Sequence, residues 1–353
     1  MDERIRGVNL SGWFIPEPWV TPSLFAATGA SNDAELQAAL GTAVYNDRVR
    51  HHYETFVSEA DFHRMAQIGL NAVRLPVPWY AFGSQGEAES YIPVVDYIDR
   101  AMEWAGKHGL SVLIDLATVP GGQGDSNEAS MPGCPMDWHT SVNGRRIALE
   151  VLERLAARYG TAEALMGIEL LDTPIMSVRK NLFTMTEGIP GHYLRNFYRD
   201  AYEAVRRHMP ADKLVVFSAS GHPQAWRRFM ASSKYENVVM DLHLYHYRDE
   251  FAQDITSPRG LSSAIARNKK YIAEARAAGF PVLIGEWSGA AVMSSASVTP
   301  EGRSAYERVF VSNQLASFSE ARGWFFQTWK TEKRIAAWDA RMALGTLERA
   351  MIE

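Results

Sequence analysis

The sequence contains one short apolar run that ends on a carboxylate followed by an indole. Residues 282–287 read VLIGEW, with Pro281 in front and Gly289 behind. Three aliphatic residues in a row favour a parallel strand that is covered on both faces. If such strands close into a barrel, their carboxyl ends open onto the active-site face, so Glu286 would project into its mouth. A structural glutamate with a buried salt-bridge partner remains the alternative for this residue taken alone.

Other predicted strands also end in groups that could bind a sugar. Aromatic planes stack on pyranose faces, and carboxylates, amides and imidazoles bind hydroxyls. Taken one at a time, Arg74 could pair with an interior carboxylate, His243 could be a hydrogen-bonded core histidine, and Tyr245 and Trp329 could be core aromatics. Their shared position at strand ends favours a site instead. The strand-end groups are Asn9 with Glu17 in the loop after it, Arg74, Ala117, Asp172, Ser218, His243 with Tyr245, Glu286, and Trp329.

Short β-branched runs alternate with amphipathic segments along the whole chain, which predicts an α/β fold of parallel βα units. We expect a (β/α)8 TIM barrel that forms a single domain over residues 1–353. The predicted strands are 6–10, 71–76, 111–116, 165–171, 214–218, 238–244, 282–288 and 323–329. A long loop is expected after the first strand, to residue 43. Helices are expected over residues 94–108, 193–208, 262–278 and 300–320. Further helices are expected to start at about Ser58, to end at Gly160, to lie near Ala225, and to end at residue 352.

Composition narrows the class of protein. The 353 residues are 46% hydrophobic and 22% charged, with a net charge of −5, which is typical of a globular protein and offers no basic surface for nucleic acid. No stretch of 18 apolar residues exists, so we expect no membrane span. Cys134 is the one cysteine, which excludes an intrachain disulfide. Because the N-terminus has no apolar leader segment, we expect a cytoplasmic protein, although a chain that has lost a leader would look the same. Oligomeric state cannot be predicted from these features.

The strand-end segments resemble, in order and spacing, the exo-β-1,3-glucanase branch of glycoside hydrolase family 5. That resemblance implies a barrel and a retaining mechanism that uses two glutamates and needs no cofactor or metal. It implies that Glu286 is the nucleophile, oriented by Arg74 and Tyr245. It also implies that Glu17, His243 and Trp329 line the sugar-binding subsite. The segments are RGVNLSGW at 6–13, EPWVTPSLF at 17–25, NAVRLP at 71–76, GIELL at 167–171, HLY at 243–245, GEWS at 285–288 and GWFFQTWKTE at 323–332.

One departure from that branch affects the chemistry directly. Where the family has Asn-Glu-Pro, its Glu being the general acid/base, this chain has Asp172-Thr173-Pro174. A retaining glycosidase needs two carboxyl groups about 5 to 5.5 Å apart. The Thr173 hydroxyl does not release a proton near neutral pH. Because adjacent side chains of a strand point to opposite faces, we expect Asp172 to replace the family's Asn as a sugar ligand, with the role of substitute acid as the alternative.

The leaving-group side departs from the family in two further places. The family's Asp-Leu-His-Gly reads Asp115-Leu116-Ala117-Thr118, and residues 122–127, the loop that offers an aromatic in that branch, read GQGDSN. Three hypotheses follow, the first two with a β-glucoside or β-glucan as the carbohydrate partner and the third with a transfer, lyase or other step in the assembly of a glycan or small metabolite. The chain is a glycosidase with altered activity, a non-catalytic glycan-binding barrel, or a barrel reused for transfer or another reaction. Under the first hypothesis, candidate substitute acids are Asp172, Asp125, Glu128 and His222.

Overall fold

The computed structural model describes residues 4–83, 91–124, 136–181, 184–247, 252, 254–293, 299–345 and 347. The strands in chain order are β1 (Ile5–Asn9), β2 (Ala72–Val77), β3 (Ser111–Leu116), β4 (Leu165–Glu169), β5 (Met176–Ser177), β6 (Ile189–Pro190), β7 (Leu214–Ser218), β8 (Val238–His246), β9 (Val282–Ala291) and β10 (Gly323–Phe326). Eight of them close into a parallel barrel in the order β1-β10-β9-β8-β7-β4-β3-β2, and β5 pairs with β6 outside it. The predicted single-domain (β/α)8 barrel is confirmed.

Helices cover the outside of the barrel. They are α1 (Asp33–Leu40), α2 (Thr42–Thr55), α3 (Glu59–Gln67), α4 (Val95–Lys107), α5 (Val142–Tyr159), α6 (Gly191–Arg206), α7 (Pro258–Ala277), α8 (Pro300–Ser317) and α9 (Ala340–Ala343). Local sequence explains several starts: Ser58 and Asp61 form a capping box on α3. Helices α7 and α8 both begin with a proline at the first position, after the side-chain caps Ser257 and Thr299. Within the described part of the chain, no helix combines the length and apolar character that crossing a membrane requires.

The predicted loop up to residue 43 is wrong, because this segment contains α1 and the start of α2. Asn32 caps α1 by accepting a hydrogen bond from the Glu35 amide, and Gly41, with φ of 72°, separates the two helices. Inside α2, residues at four-residue spacing are buried, namely Tyr45, Val49 and Tyr53. From residue 33 onward the alanines of this segment are therefore helix residues, and Gly41 is a cap residue.

Two boundary predictions also differ from the structure. Strand β4 ends at Glu169 instead of residue 171, and β10 ends at Phe326 instead of residue 329. The last helix was expected to reach residue 352, but α9 ends at Ala343 and residues 348–353 lie outside the described residues. The two early strand ends matter for the site, because the residues beyond them no longer follow strand alternation.

The barrel interior is layered. An apolar layer is formed by Ile5, Ala72, Leu113, Leu214, Val216, Val239, Leu283 and Phe325. Two residues further along a strand the side chain faces the same side. That step leads from Ala72 to Arg74, from Leu113 to Asp115 and from Val239 to Asp241, all of them buried. A layer of charged groups therefore lies on the apolar layer, toward the carboxyl ends of the strands.

Candidate active site

A cavity of about 630 Å³ opens at the carboxyl ends of the barrel strands. Its size and its mixture of aromatic and polar walls suit a small sugar ligand. Of the eight site residues predicted from the sequence, six line it: Glu17, Asp172, Thr173, His243, Tyr245 and Glu286. Arg74 lies directly beneath it, and Trp329 does not line it. The structure thus brings seven of the eight together.

Arg74 organises the charged layer below the cavity. Its side chain has no exposed surface, and its guanidinium donates to Glu169 Oε2 at 2.8 Å, to Asp172 Oδ1 at 2.9 Å and to Glu286 Oε1 at 3.1 Å. It also donates to Asn9 Oδ1 at 2.9 Å. Arg74 therefore pairs with an interior carboxylate and also contacts Glu286, and its role in orienting a nucleophile stays a prediction.

Glu286 is held as a carboxylate from three directions. Arg74 donates to Oε1, while the Tyr245 hydroxyl donates to Oε2 at 2.6 Å and His243 Nδ1 lies 3.2 Å from Oε2. Burial alone would raise the pKa of Glu286, but the positive charges of His243 and Arg74 and the hydrogen bonds lower it to about 2. An ionised, fixed carboxylate that borders the cavity has the properties of a nucleophile.

His243 connects Glu286 to a second carboxylate. Its Nε2 lies 2.7 Å from Asp241 Oδ2, and the Asp241 Oδ1 accepts a hydrogen bond from the Gly285 amide at 2.6 Å. Burial opposes protonation, yet the two flanking carboxylates raise the pKa of His243 well above its ordinary value. The imidazolium therefore supplies a second positive charge beside Glu286.

Two further carboxyl groups of the layer lie against Arg74, Asp115 at 3.2 Å and Glu169 at 2.8 Å. Burial raises the pKa of Asp115 well above its usual range, against the opposing charge of Arg74, and raises that of Glu169 to about 8. Both groups are fully buried, so neither reaches the cavity as a proton donor to substrate.

Asp172 and Thr173 contradict the expectation that their side chains point to opposite faces. Both line the cavity, and the Thr173 hydroxyl donates to Asp172 Oδ1 at 2.7 Å. The physical reason is that β4 has already ended, and Thr173 takes a φ of 31°, so strand alternation no longer applies. Asp172 Oδ1 accepts hydrogen bonds from the Arg74 guanidinium and the Thr173 hydroxyl, so Asp172 acts here as an acceptor.

Glu17 lies beside an aromatic wall. Its carboxylate accepts from the Gly12 amide at 2.9 Å and from the Trp19 indole at 2.8 Å. Trp19 packs 5.1 Å from Trp338, and Trp338 packs 5.5 Å from Tyr245. These rings line the cavity on the side of β1 and the loop after β10. Sequence reasoning missed Trp338 because it lies in a loop, where no periodicity marks it.

Trp329 was predicted in the subsite and is instead packed away from it. Its side chain is 1% exposed, and its indole donates to Asp61 Oδ1 at 2.8 Å. Gln327 lines the cavity in its place and accepts from the Ser11 hydroxyl at 2.9 Å. The error came from the strand end: with β10 ending at Phe326, the first polar residue after it is Gln327.

The proposed substitute acids lie elsewhere or cannot be described. Asp125 and Glu128 fall outside the described residues. His222 is exposed and is not among the described residues that line the cavity. Of the four candidates, Asp172 is the one described at the cavity wall.

Three side chains could in principle hold a metal ion, since ligand atoms of Glu169, Asp172 and His243 lie within 4.8 Å of one another. Arg74 donates to both of these carboxylates, at 2.8 and 2.9 Å. A cation there would lie at contact distance from a guanidinium, so these three side chains do not fit a metal ion.

Solved structures share the fold. A rutinosidase from Aspergillus niger superimposes with a TM-score of 0.79 over 100% of this chain and 98% of its own, at 18% sequence identity. The endoglucanase Cel5A from Thermotoga maritima gives a TM-score of 0.57 over 99% of this chain and 95% of its own, at 14% identity. At these identities the likeness concerns the barrel alone.

Closer relatives are found by sequence. A probable glucan 1,3-beta-glucosidase A from Aspergillus niger is 30% identical over 93% of this chain and 83% of its own length. A glucan 1,3-beta-glucosidase from Schwanniomyces occidentalis is 30% identical over 95% of this chain and 85% of its own. The expected cytoplasmic location is wrong, because glucan 1,3-beta-glucosidases are typically secreted or extracellular enzymes. The absence of an apolar leader in this sequence was not a sound basis for that prediction.

The family itself is established over most of the barrel. The sequence model of the family described as Cellulase (glycosyl hydrolase family 5) matches residues 38–324. That range runs from α1 to the first residues of β10 and includes both Glu286 and Thr173. The resemblance expected from the strand-end segments is confirmed. The chain belongs to glycosyl hydrolase family 5.

Proposed function

We propose that this protein acts on a β-glucoside or β-glucan by forming a covalent glycosyl ester on Glu286, without a carboxylic acid at position 173 to protonate the leaving group. The observation that carries the proposal is the state of Glu286, a carboxylate with a pKa of about 2 that is fixed by Arg74, His243 and Tyr245 at the cavity wall. The similarity of the chain to glucan 1,3-beta-glucosidases supports a β-glucoside or β-glucan as the substrate class.

In the first step, Glu286 Oε attacks the anomeric carbon, and the bond from that carbon to the leaving oxygen breaks with its electron pair on the oxygen. The Tyr245 hydroxyl and the His243 imidazolium hold the carboxylate in place. Glu17, Trp19 and Trp338, which line the same cavity, bind the sugar. The leaving group departs as an anion, since neither Thr173 nor Asp172 is placed to donate a proton.

In the second step, water attacks the glycosyl ester and regenerates Glu286. Thr173 cannot remove the proton of that water, so for a substrate with a good leaving group hydrolysis of the ester is the slow step. Removing a general acid/base typically lowers rates by about 10² to 10⁴. Alkyl β-glucosides and β-1,3-glucan, whose leaving alkoxides are poor, are therefore turned over slowly or not at all.

A non-catalytic glycan-binding barrel is the second candidate function. The hydrogen bond from Thr173 to Asp172 favours it, because that bond occupies the hydroxyl that stands where a proton donor is required. A barrel reused for glycosyl transfer is compatible with the same ester on Glu286, because transfer differs only in the acceptor that attacks it.

Pre-steady-state kinetics test the proposal. A dinitrophenyl β-glucoside should give a burst of phenolate followed by slow turnover, and azide, which needs no deprotonation, should accelerate turnover and yield the glycosyl azide. Glu286→Ala should abolish both signals. If wild-type protein gives neither burst nor azide product, while β-glucan oligosaccharides still raise its melting temperature, the glycan-binding function replaces the enzymatic one.

A further inference from the structure

Two halves of the cavity wall differ in their polar side chains, and residues of β7 and β8, among them Ser218 and His243, lie between them on one side. The half over β1, β9 and β10 carries the carboxylates of Glu17 and Glu286 and the ring of Trp338, together with apolar groups such as Phe14. The half over β2, β3 and β4, and the loops that follow them, is lined by Pro76, Ala117, Gly124, Asp172, Thr173 and Ile175. Four of these six residues have no polar side-chain atom. The second half is therefore largely apolar, among the residues that the structure describes.

Hydrogen bonds hold this apolar half in a fixed arrangement. Gln123 is fully buried, and its side-chain amide donates to the Ala117 carbonyl at 2.8 Å and to the Asp172 carbonyl at 3.1 Å. The main-chain carbonyl of Gln123 in turn accepts from the Ile175 amide at 2.9 Å. Gln123 thus ties the ends of β3 and β4 together through its side chain and holds Ile175 beside them through its backbone.

The two polar groups in this half are already engaged. Thr173 donates its hydroxyl to Asp172, and Asp172 also accepts from Arg74. A polyhydroxylated sugar placed here would lose hydrogen bonds to water without gaining partners from Pro76, Ala117 or Ile175. The surface fits an apolar group. The methyl group of Ala117 and the absence of a side chain at Gly124 leave room for a flat ring.

We propose that the group bound in this half is an aromatic aglycone that leaves as an anion, a phenolate or an aromatic carboxylate. The inference rests on the proposed role of Glu286. An apolar leaving group that departs without a proton must spread its charge over its own π-system, since the six described residues of this half offer it no cation and no free hydroxyl. Both requirements, an apolar body and a stabilised anion, are met by phenols and aromatic acids.

The step balances without a further reactant. The Glu286 carboxylate forms a bond to the anomeric carbon, and the carbon–oxygen bond to the aglycone breaks with its electron pair on the aromatic oxygen. The released anion takes its proton from solvent. Water, or an anionic acceptor, then displaces Glu286 from the anomeric carbon.

Two substrates that both leave without protonation separate this inference from the proposed function. β-Glucosyl fluoride has no aglycone to bind, whereas 4-nitrophenyl β-glucoside and the benzoic acid ester of β-glucose each carry an aromatic ring. We expect kcat/KM for at least one aromatic substrate to exceed that for the fluoride. In Ile175→Asn the aromatic-to-fluoride ratio should fall about tenfold, the loss expected when one apolar contact with a ring is removed. A comparison of kcat/KM for the two aromatic substrates shows whether a phenolate or an aromatic carboxylate is the preferred leaving group.

Control variants make the result specific. Val142→Asn makes the same chemical change at a side chain that is 88% exposed on α5, and should leave the ratio as in wild type. If Ile175→Asn does not fold, Ala117→Ser places a hydroxyl on the same surface and should lower the ratio in the same direction.

The outcomes are distinct. If the fluoride glycosylates Glu286 but the ratio is unaffected by Ile175→Asn and Ala117→Ser, this inference is wrong and the proposed function stands. If neither substrate class forms the glycosyl ester, the proposed function itself fails. Rapid hydrolysis of alkyl β-glucosides that is lost in Asp125→Asn, Glu128→Gln or Asp172→Asn would also overturn the inference, because one of these acids would then protonate the leaving group.

Discussion

In the proposed mechanism, position 173 determines how the leaving group departs. Thr173 stands at the cavity wall with its hydroxyl on Asp172 and a φ of 31°. In a retaining glycosidase the basic limb of the pH profile reports the general acid, because activity falls as that acid loses its proton. With threonine there, kcat/KM for an activated aryl glucoside should be flat from about pH 4 to 8.

Thr173→Glu should restore the missing proton donor. We expect the rate on alkyl β-glucosides to rise by about 10² to 10⁴, and a basic limb to appear in the pH profile. Thr173→Gln has the same shape without an ionisable group and serves as the control. Equal rates for the Glu and Gln variants at every pH would mean that position 173 does not face the leaving oxygen.

His243 should set the acid limb. Its positive charge helps to hold the pKa of Glu286 at about 2, so the nucleophile stays ionised down to low pH. Because attack requires the carboxylate, activity is lost as pH falls through that pKa. In His243→Gln the pKa of Glu286 should rise and the acid limb of kcat/KM should move up by about one unit or more.

The control for this experiment is His222→Gln, at an exposed histidine outside the described cavity wall. Its acid limb should coincide with that of wild type. An unchanged limb in His243→Gln, at any absolute rate, would show that the imidazolium does not determine the ionisation of Glu286.

At the scale of elements, the close contact between β8 and β9 at the site requires a glycine at position 285. A Cβ added to Gly285 would lie 2.2 Å from Asp241 Oδ1, the atom that accepts the Gly285 amide. Gly285→Ala should displace Asp241 and lower the free energy of unfolding by about 1 to 3 kcal/mol. Gly289→Ala on the same strand, where the nearest atom is 3.1 Å away, is the control and should be milder in thermal denaturation. Equal losses would contradict this explanation.

Helices α1 and α2 are linked to the barrel by a buried acid. Asp33 accepts from the Tyr45 hydroxyl at 2.6 Å and from the Tyr80 hydroxyl at 2.9 Å, and burial raises its pKa to about 6. Because the folded state binds this proton more tightly than the unfolded chain does, the stabilisation is complete at low pH and is lost as pH rises through 6.

Asp33→Asn keeps an acceptor for the tyrosines without the charge. Relative to wild type, its free energy of unfolding should therefore rise by about 1 to 2 kcal/mol between about pH 4 and 7. Urea denaturation at several pH values measures this difference. A difference that falls with increasing pH would mean that Asp33 is stabilised as a carboxylate.

At the scale of the whole molecule, hydrophobic patterning was sufficient to predict the barrel. Strands β3 and β7 begin and end at the predicted residues, and each contains an unbroken run of apolar residues, 112–114 and 214–217. Parallel strands of a closed barrel present their carboxyl ends on one face, so placing strands also placed Glu286, His243 and Arg74 together.

The errors arose where the chain leaves regular structure. Beyond the end of β4 the positive φ of Thr173 turns two adjacent side chains toward one cavity, and no sequence period predicts such a turn. Beyond the end of β10, Trp329 turns away to bond Asp61, a partner more than 260 residues earlier in the chain. Long-range partners of this kind are set by tertiary packing, which a local pattern does not encode.

We propose that Glu286 forms a covalent bond to a sugar in a barrel that lacks a proton donor at position 173. Protein incubated with a dinitrophenyl 2-deoxy-2-fluoro-β-glucoside, digested and analysed by mass spectrometry, tests this directly, because the fluorine slows both steps while the dinitrophenolate leaving group keeps formation of the ester faster than its breakdown. We predict one added fluoroglucosyl group per chain, on the peptide that contains Glu286, and none in Glu286→Gln. An unmodified peptide after saturating exposure, or a label on another residue, would contradict the account.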